Sequence, residues 1–351
     1  MHHLKKTAVL AAAAAVTMLA GCAGGSGSGS GSGTGAGGSE APADADHITI
    51  QLDYQPRGLH SPLFVADAKG FFADEGIVVD DILTGTSSGD TLRLVGQGQG
   101  DFGVSDLPTL VVARSQDIPV KALLATNQHS PLAMCTKAER FTLETPDDLK
   151  GLKVGVQASG STYIFYKALL AANGLSQDDL TELTVTPPYE SYLVTDQVDT
   201  VPCYTDAEVP ILQKAAGELS ILHGSDFGYD VYGTGIFTTD EMIESNPDLV
   251  QRFTNAYLKA LEYTIDNPEE AAQILADSNP ELSDNVALYT EQLQADIDDT
   301  FTSEDTEENG LGTMTDEVWQ GTIDLLFEQG VITTEPTVDD VRDATFVDAG
   351  N

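Results

Sequence analysis

Four side chains that can bind or orient a ligand stand close together in one polar loop near the start of the chain. Asp53, Tyr54, Arg57 and His60 lie in the segment LDYQPRGLHSPLFVA, residues 52–66. A short alternating apolar run before the loop predicts a strand, and apolar residues at helical spacing after it predict a helix. Open α/β sheets bind ligands in loops that leave the carboxyl ends of their strands. We therefore predict a ligand-binding loop here.

Arg57 bears on the class of ligand. A guanidinium that faces the ligand pairs with carboxylate, phosphate or sulfonate groups, so it predicts an anionic ligand. A guanidinium that points to solvent carries no such meaning, and the sequence leaves both interpretations open.

Further polar segments follow later predicted strands. One begins a predicted helix, where free backbone N–H groups and hydroxyls suit an anion or a polar oxygen, and comprises Ser159, Gly160, Ser161 and Thr162. Plain helix capping explains the same serines. Thr86 lies in a similar Gly/Ser loop after the second predicted strand, and Tyr189 follows a Pro-Pro turn from which it can wall a cleft.

The sequence contains no CxxC, no HExxH and no cluster of histidines, so we predict no metal site and no cofactor. No Ser-His-Asp or Cys-His set is apparent either, which argues against an enzyme. Beyond Cys22, the chain carries Cys135 and Cys203. This even pair forms a disulfide or stays as two buried thiols, and both interpretations are open.

The N-terminus predicts export and anchoring. Lys5 and Lys6 precede a short apolar run that ends in LAGC, which resembles the bacterial lipobox, with Cys22 as the acylated residue. An ordinary signal peptide with an incidental cysteine is the alternative. Residues 1–21 are thus a predicted signal peptide, and residues 22–46 a lipidated cysteine with a Gly/Ser-rich tether. We expect an extracytoplasmic protein, lipid-anchored to the outer face of the cell membrane.

The net charge narrows the choice of partners. The chain has 16 basic against 56 acidic residues, a formal charge of −40. Such a field repels nucleic acid and anionic membrane surfaces, so we predict no nucleic-acid partner and no membrane contact beyond the lipid anchor. The spread of the acidic residues favours a solvated surface over a specific acidic binding face.

Predicted strands and helices alternate through the chain and give an α/β protein. Four strand–helix units predict a parallel sheet, and a second set of units follows it. Long amphipathic helices near the C-terminus need a sheet to cover, and the first sheet is the nearest. We therefore predict two lobes: residues 47–130 plus 226–351 form lobe 1, and 131–225 form lobe 2. Two crossings make a hinge, and the ligand lies in the cleft between the lobes.

Several segments resemble one protein family. They are LDYQPRGLHSPLFVADAKGFFADEGI from residue 52, LVGQGQGDFGVSDLP (94–108), NQHSPL (127–132), DLKGLKVGV (148–156) and YTDAEVPIL (204–212). They are similar to the thiamine-precursor branch of the nitrate/sulfonate/taurine solute-binding proteins of ABC importers. The resemblance spans nearly all of residues 47–345. It implies a periplasmic-binding-protein-like fold of type II, each lobe a sheet flanked by helices and joined by a two-strand hinge.

The resemblance also implies roles for individual residues. Tyr54 falls on an aromatic position and would stack on a planar ring, and Ser105 falls on a serine after the third strand. The polar contacts implied by the motif, or proposed beside it, are Asp53, His60, Asp106, Tyr204 and Glu208. The chain departs from the family pattern at Arg57-Gly58, at Asp106 and at residues 206–209.

Together these features predict a monomeric, non-catalytic lipoprotein that captures a small polar N-heterocycle, such as a thiamine pyrimidine precursor, and delivers it to an ABC permease and its ATPase. A sulfonate, taurine or nitrate ligand in the same family is one alternative. A pyrimidine-precursor-synthesising enzyme is another, and a surface sensor or adhesin without a permease is a third.

Overall fold

The computed structural model describes residues 45–157, 160–186 and 190–348. Several predictions lie outside these residues: the signal peptide, Cys22 with nearly all of the tether, Ser159 and Tyr189. None of the helices in the described residues has the length and apolar character that crossing a bilayer requires.

The strands, in chain order, are β1 Asp46–Gln51, β2 Ile77–Leu83, β3 Phe102–Asp106, β4 Val120–Ala125, β5 Leu132–Lys137, β6 Lys153–Val156, β7 Thr181–Thr184, β8 Val201–Tyr204, β9 Leu219–His223 and β10 Thr234–Thr239. The α-helices are α1 Ser61–Ala68, α2 Phe71–Asp74, α3 Ser88–Gly96, α4 Leu107–Arg114, α5 Ser161–Ala172, α6 Glu190–Val194, α7 Val209–Ala216, α8 Asp240–Ser245, α9 Pro247–Asp266, α10 Pro268–Asp277, α11 Val286–Asp299, α12 Glu304–Asn309, α13 Asp316–Glu328, α14 Val338–Val341 and α15 Thr345–Asp348. Short 3₁₀ helices span Gly58–His60, Pro146–Leu149, Gln177–Asp179, Ser225–Phe227 and Ser283–Asn285.

The larger sheet has the strand order β2-β1-β3-β10-β4. β1 runs parallel to β2 and β3, whereas β10 is antiparallel to both β3 and β4. The four strands of the predicted parallel sheet, β1 to β4, do run in one direction, but the prediction missed β10, which lies between β3 and β4 and runs against them. The physical reason is the path of the chain: β10 enters the sheet on the return crossing, opposite in direction to the outgoing strand β4.

The two crossings lie side by side. The backbone N–H of Asn127 donates to the carbonyl of Thr234, and the N–H of Gly233 donates to the carbonyl of Asn127. A Cβ atom at Gly233 would lie 2.8 Å from the Asn127 Cβ. Glycine is therefore required for the crossings to approach so closely.

The middle of the chain forms two smaller sheets. β5 lies between β8 and β9 and is antiparallel to both, and β6 pairs in parallel with β7. A disulfide joins Cys135 on β5 to Cys203 on β8, with the two Cα atoms 6.0 Å apart. The division of the chain into two lobes at the predicted boundaries stays a proposal.

Helices from the C-terminal third cover the larger sheet, as predicted. The Phe253 ring of α9 stacks on Phe102 of β3 and on Phe72 of α2, with ring centroids 3.8 and 5.3 Å away. Trp319 of α13 is 1 % exposed and packs in the core, on the apolar side of that helix. Burying each aromatic side chain contributes about 1.5–3 kcal/mol to folding. This packing fixes the sheet whose loops carry the candidate site.

Candidate functional site

Loops that follow strands of the larger sheet and loops that follow strands of the two smaller sheets together line a small cavity of about 40 Å³. Most of the predicted ligand residues line it: Asp53, Tyr54, Arg57, Thr86, Gly160, Ser161, Thr162, Tyr204 and Glu208. The first four come from loops after β1 and β2. The others come from the start of α5, the end of β8 and the loop before α7.

Asp53 holds Arg57 inside the protein. Asp53 is 3 % exposed and Arg57 is 7 % exposed, and Nη2 of Arg57 donates to Oδ2 of Asp53 at 3.1 Å. Burial alone would raise the pKa of Asp53, but Arg57 and His60 outweigh it and hold that pKa well below its ordinary value. Burial likewise disfavours the charged guanidinium, yet the carboxylates of Asp53 and Asp206 raise the pKa of Arg57. Both groups are therefore charged, and the interpretation of Arg57 as a solvent-facing residue does not hold.

His60 lies behind this ion pair and not in the cavity wall. It is 1 % exposed; its Nδ1 accepts from the backbone N–H of Arg57 at 3.2 Å, and its Nε2 lies 2.8 Å from Oδ1 of Asp53. Burial lowers the pKa of His60, against the opposing effect of Asp53. A neutral imidazole that carries its proton on Nε2 satisfies both bonds. His60 thus orients Asp53, and both of its ring nitrogens are engaged.

The guanidinium of Arg57 lies over the ring of Tyr204. Its Cζ atom is 5.2 Å from the ring centroid, within the range of a cation–π contact. The Tyr204 hydroxyl and Ser161 Oγ are 2.6 Å apart. Arg57, Tyr204 and Ser161 therefore form one connected wall that joins the β1 loop to the start of α5.

The start of α5 faces the cavity. Gly160 is the residue before the first helical turn and makes no side-chain cap, and the Ser161 hydroxyl bonds to Tyr204 instead. Capping by Ser161 is thus excluded, and capping by Ser159 lies outside the described residues. The unpaired N–H groups of a first helical turn favour partial negative charge on a ligand oxygen.

Glu208 adds a second carboxyl group to the wall. One of its oxygens, Oε2, accepts from the backbone N–H of Tyr204 at 2.6 Å. Among the described residues that line the cavity, Arg57 is the one basic side chain, against the carboxyl groups of Asp53 and Glu208. The cavity therefore offers no surplus of positive charge.

Two predicted residues are buried next to the cavity but do not line it. Oδ1 of Asp106 accepts from the backbone N–H of Thr109 at 2.9 Å and caps α4. Burial raises the pKa of Asp106 to about 7, in spite of the bonds from Thr109. Ser105 is fully buried, and its hydroxyl donates to the carbonyl of Asp106. Both residues therefore stabilise the backbone where β3 ends and α4 begins.

The structure adds lining residues that the prediction did not include, namely Ser87, Ser88 and Gln157. Ser87 caps α3, and Ser88 Oγ accepts from the backbone N–H of Asp106 at 3.1 Å. The Gly/Ser composition of residues 85–89 was the signal for the two serines. Gln157 has no comparable signal beyond its position at the end of β6.

Gly85 lets the two loops of the larger sheet meet. A Cβ atom there would lie 2.2 Å from the carbonyl oxygen of Leu52 and 2.6 Å from the carbonyl carbon of Asp53. Its N–H donates to the carbonyl of Tyr54 at 3.1 Å. The Gly85 loop thus fixes the backbone that presents Asp53 and Tyr54.

Comparison with solved structures shows the fold. The periplasmic aliphatic sulphonate binding protein SsuA of Escherichia coli superimposes with a TM-score of 0.64 at 15 % identity, covering 86 % of this chain and 94 % of that one. The periplasmic nitrate-binding protein NrtA of Synechocystis gives a TM-score of 0.62 at 15 % identity, over 88 % of each chain. These likenesses confirm the predicted fold class.

Some of the sequence relatives are named as binding proteins and others as synthases. The riboflavin-binding protein RibY of Chloroflexus aurantiacus is 26 % identical over 87 % of both chains. The formylaminopyrimidine-binding protein of Halalkalibacterium halodurans is 28 % identical over 67 % of this chain and 71 % of its own. The 4-amino-5-hydroxymethyl-2-methylpyrimidine phosphate synthase THI11 of Saccharomyces cerevisiae is 25 % identical over 69 % of this chain and 74 % of its own.

The family itself is shown by a match over more than half of the chain, from the 3₁₀ helix that follows Arg57 to the start of α10. The sequence model described as NMT1/THI5 like matches residues 58–271, and the chain therefore belongs to the NMT1/THI5-like family.

Proposed function

We propose that this protein is the extracytoplasmic binding lipoprotein of an ABC importer, anchored through Cys22, and that it captures a small polar N-heterocycle such as a thiamine pyrimidine precursor. It then acts as a monomer and passes its ligand to a permease and its ATPase. One observation carries the ligand class: Arg57, the one guanidinium among the described residues that line the cavity, is already paired with Asp53 and lies over Tyr204.

The charge of the wall supports a neutral or amino-bearing ligand over an anion. A sulfonate or nitrate would need positive charge that Arg57 has already committed to Asp53, and it would approach Glu208. An aminopyrimidine offers N–H donors to the carboxyl groups and a flat face to the aromatic side chains. The backbone N–H groups at the start of α5 then donate to a ring nitrogen or carbonyl oxygen of the ligand.

The engagement of His60 supports binding over catalysis. A general base needs a ring nitrogen within reach of the substrate, and both nitrogens of His60 are bonded within the protein and shielded from the cavity. The synthases among the relatives keep an enzyme as the alternative. Turnover of a candidate ligand by the purified protein would establish that alternative.

A neighbouring groove favours riboflavin as a second candidate ligand. The groove is about 330 Å³, lies between facing sides of α4 and α5, and shares Gly160 with the cavity. It is lined largely by apolar atoms, among them those of Val112, Tyr163 and Ile164. A fused ring system would extend into it, whereas a single pyrimidine would leave it empty.

A thermal-shift screen tests the proposal. The panel holds a formylaminopyrimidine, a hydroxymethylpyrimidine, riboflavin, taurine, an alkanesulfonate and nitrate. A ligand at about a hundred times its dissociation constant should stabilise the protein by roughly 2.7 kcal/mol. We expect this shift with a pyrimidine or with riboflavin. A shift with the sulfonate or nitrate alone would overturn the ligand class.

Glu208→Gln is expected to weaken binding of an amino-bearing heterocycle by about 10-fold, because a hydrogen bond to a charged acceptor contributes roughly 1–1.5 kcal/mol more than one to a neutral acceptor. The glutamine keeps an oxygen that can accept from the N–H of Tyr204, so the loop is preserved. Titration calorimetry measures the change. Glu218→Gln, an exposed residue in the same part of the chain, is the matched control. Equal affinities in the two variants would remove Glu208 from the site.

A further inference from the structure

A second pair of acidic side chains lies beside the cavity without lining it. Asp206, on the loop between β8 and α7, is 2 % exposed, and Asp296, on α11, is fully buried. Each side chain shifts the pKa of the other, and Gln292, one turn from Asp296, bonds to the carbonyl of Ala207, the residue after Asp206. The pair therefore connects the middle of the chain, which carries Tyr204 and Glu208, to the C-terminal helices over the larger sheet.

Asp296 is also tied to the first crossing of the chain. Its Oδ1 accepts from Nδ2 of Asn127 at 2.9 Å and from the hydroxyl of Thr300 at 3.1 Å. Asn127 is the residue whose backbone pairs with the return crossing. The acidic pair thus lies at the junction between the two predicted lobes, residues 47–130 plus 226–351 and residues 131–225. The lobes would move relative to each other about this junction.

Gln292, one turn before Asp296 on α11, bridges the same two parts. Its Nε2 donates to the carbonyl of Ala207 at 2.9 Å, and its Oε1 accepts from the backbone N–H of Gly58 at 3.0 Å. One face of α11 therefore holds the β1 loop and the β8–α7 loop together. These are the loops that bring Arg57 and Glu208 to the cavity.

The charges around the pair favour one proton for two carboxyl groups. Asp206 faces Arg57 and Asp296, and Asp296 faces Asp206, Arg57 and the phenol of Tyr257. Burial raises the pKa of Asp296 well above its ordinary value, and the charge of Asp206 raises it further. Burial also raises the pKa of Asp206, although Arg57 opposes this. Two carboxylates in contact in a buried site do not both ionise.

The hydrogen bonding agrees with this proton count. Among the described residues, no donor reaches Oδ1 of Asp206 or Oδ2 of Asp296. A buried carboxyl oxygen that no donor reaches is costly. A single proton on one carboxyl group, donated to the other, satisfies both atoms.

We propose that Asp206 and Asp296 are positioning residues that share one proton across the two parts of the molecule, so that closing the cavity around its ligand takes up a proton. This inference rests on the proposed function, since it assumes that the cavity opens and closes. Opening separates the two carboxyl groups and lets both ionise. Ligand affinity therefore decreases as pH rises, because closure must then recover the proton.

The first test needs no ligand. A carboxyl group that holds its proton more tightly in the folded state loses stability as pH rises from its unfolded pKa towards its folded one. We measure midpoint temperatures of unfolding between about pH 5 and 9 for the wild type and Asp296→Asn. The asparagine donates permanently to Asp206 and still accepts from Asn127, so we expect a flatter profile and a higher midpoint at the alkaline end.

Asp299→Asn is the matched control, because Asp299 is an exposed acid on the same helix. It should keep the wild-type slope. Asp206→Asn makes the same substitution on the other partner and should flatten the profile as well, which covers the case that one variant folds poorly. Wild-type slopes in both Asp206→Asn and Asp296→Asn would overturn the proton sharing.

The second test measures the coupling to ligand. Calorimetric titration with the formylaminopyrimidine in two buffers of different ionisation enthalpy counts protons, and we expect uptake of about one proton per ligand at alkaline pH in the wild type. Asp296→Asn should abolish the uptake, and Asp299→Asn should retain it. Binding without uptake in the wild type would overturn the coupling alone. If no compound in the ligand panel binds, the proposed function fails, while the unfolding profiles still decide the proton sharing.

Discussion

Arg57→Ala is expected to lower the free energy of unfolding by about 3–5 kcal/mol, because it leaves the carboxylate of Asp53 buried without its partner. The side chains of Asp53 and Arg57 are 4 % and 9 % exposed, so water does not replace the lost interaction. His60 alone would then face Asp53, and a proton would be drawn onto the pair. Urea unfolding at neutral pH measures the loss.

Two further variants show whether the loss of stability comes from the unpaired charge of Asp53. Asp53→Asn with Arg57→Gln replaces both charges with amides, and it should cost less than Arg57→Ala alone because no unpaired charge stays buried. Arg93→Ala removes an exposed arginine that lies 3.6 Å from Asp90, and it should change stability by no more than about 0.5 kcal/mol. A double variant that is less stable than Arg57→Ala would contradict the ion-pair account.

Removing the disulfide is expected to have the second large effect. Cys135 and Cys203 are 68 residues apart in sequence, and closing a loop of that length restricts the unfolded chain by about 4 kcal/mol in the chain-entropy treatment. Cys135→Ala with Cys203→Ala should lower the free energy of unfolding by about 2–5 kcal/mol.

Reductant provides the comparison for this variant. The wild type in dithiothreitol should approach the stability of the double variant, and the double variant itself should not respond. If the oxidised and reduced wild type unfold at the same urea concentration, the bond contributes nothing to stability. Both cysteines are fully buried, so the reductant must be added in the unfolded state and removed only after measurement.

Much of the fold was predictable because local patterns report it. An alternating apolar run located β1, a continuous apolar run located β4, and the apolar stripes of α9 and α13 placed Tyr257 and Trp319 in the core. The antiparallel insertion of β10 was not predicted. A strand of six residues carries no local mark of its direction, which depends on the path of the whole chain between residues 126 and 234.

The candidate site divides in the same way. The loop from Asp53 to His60 was recognisable from its residue types, but the ion pair inside it was not. The sequence alone does not say whether the side chain of Arg57 faces solvent or the ligand. Asp206 and Asp296 influence each other's pKa although they are ninety residues apart in sequence, and no motif connects them. The sequence thus indicates which polar residues lie near the end of a strand. Which of them form ion pairs or hydrogen bonds with one another depends on the tertiary packing.

The position of β10 between β3 and β4 has a consequence for how the protein is made. β4 pairs with β10 and, through one bridge at Ala122, with Arg342, so among the described residues no strand before residue 234 holds it in register. Pairings between such distant segments form slowly, since a long loop must close before they contribute. A chain still growing towards β10 therefore cannot complete its main sheet. Such late completion keeps the polypeptide open during synthesis, which suits the export that we propose for this protein.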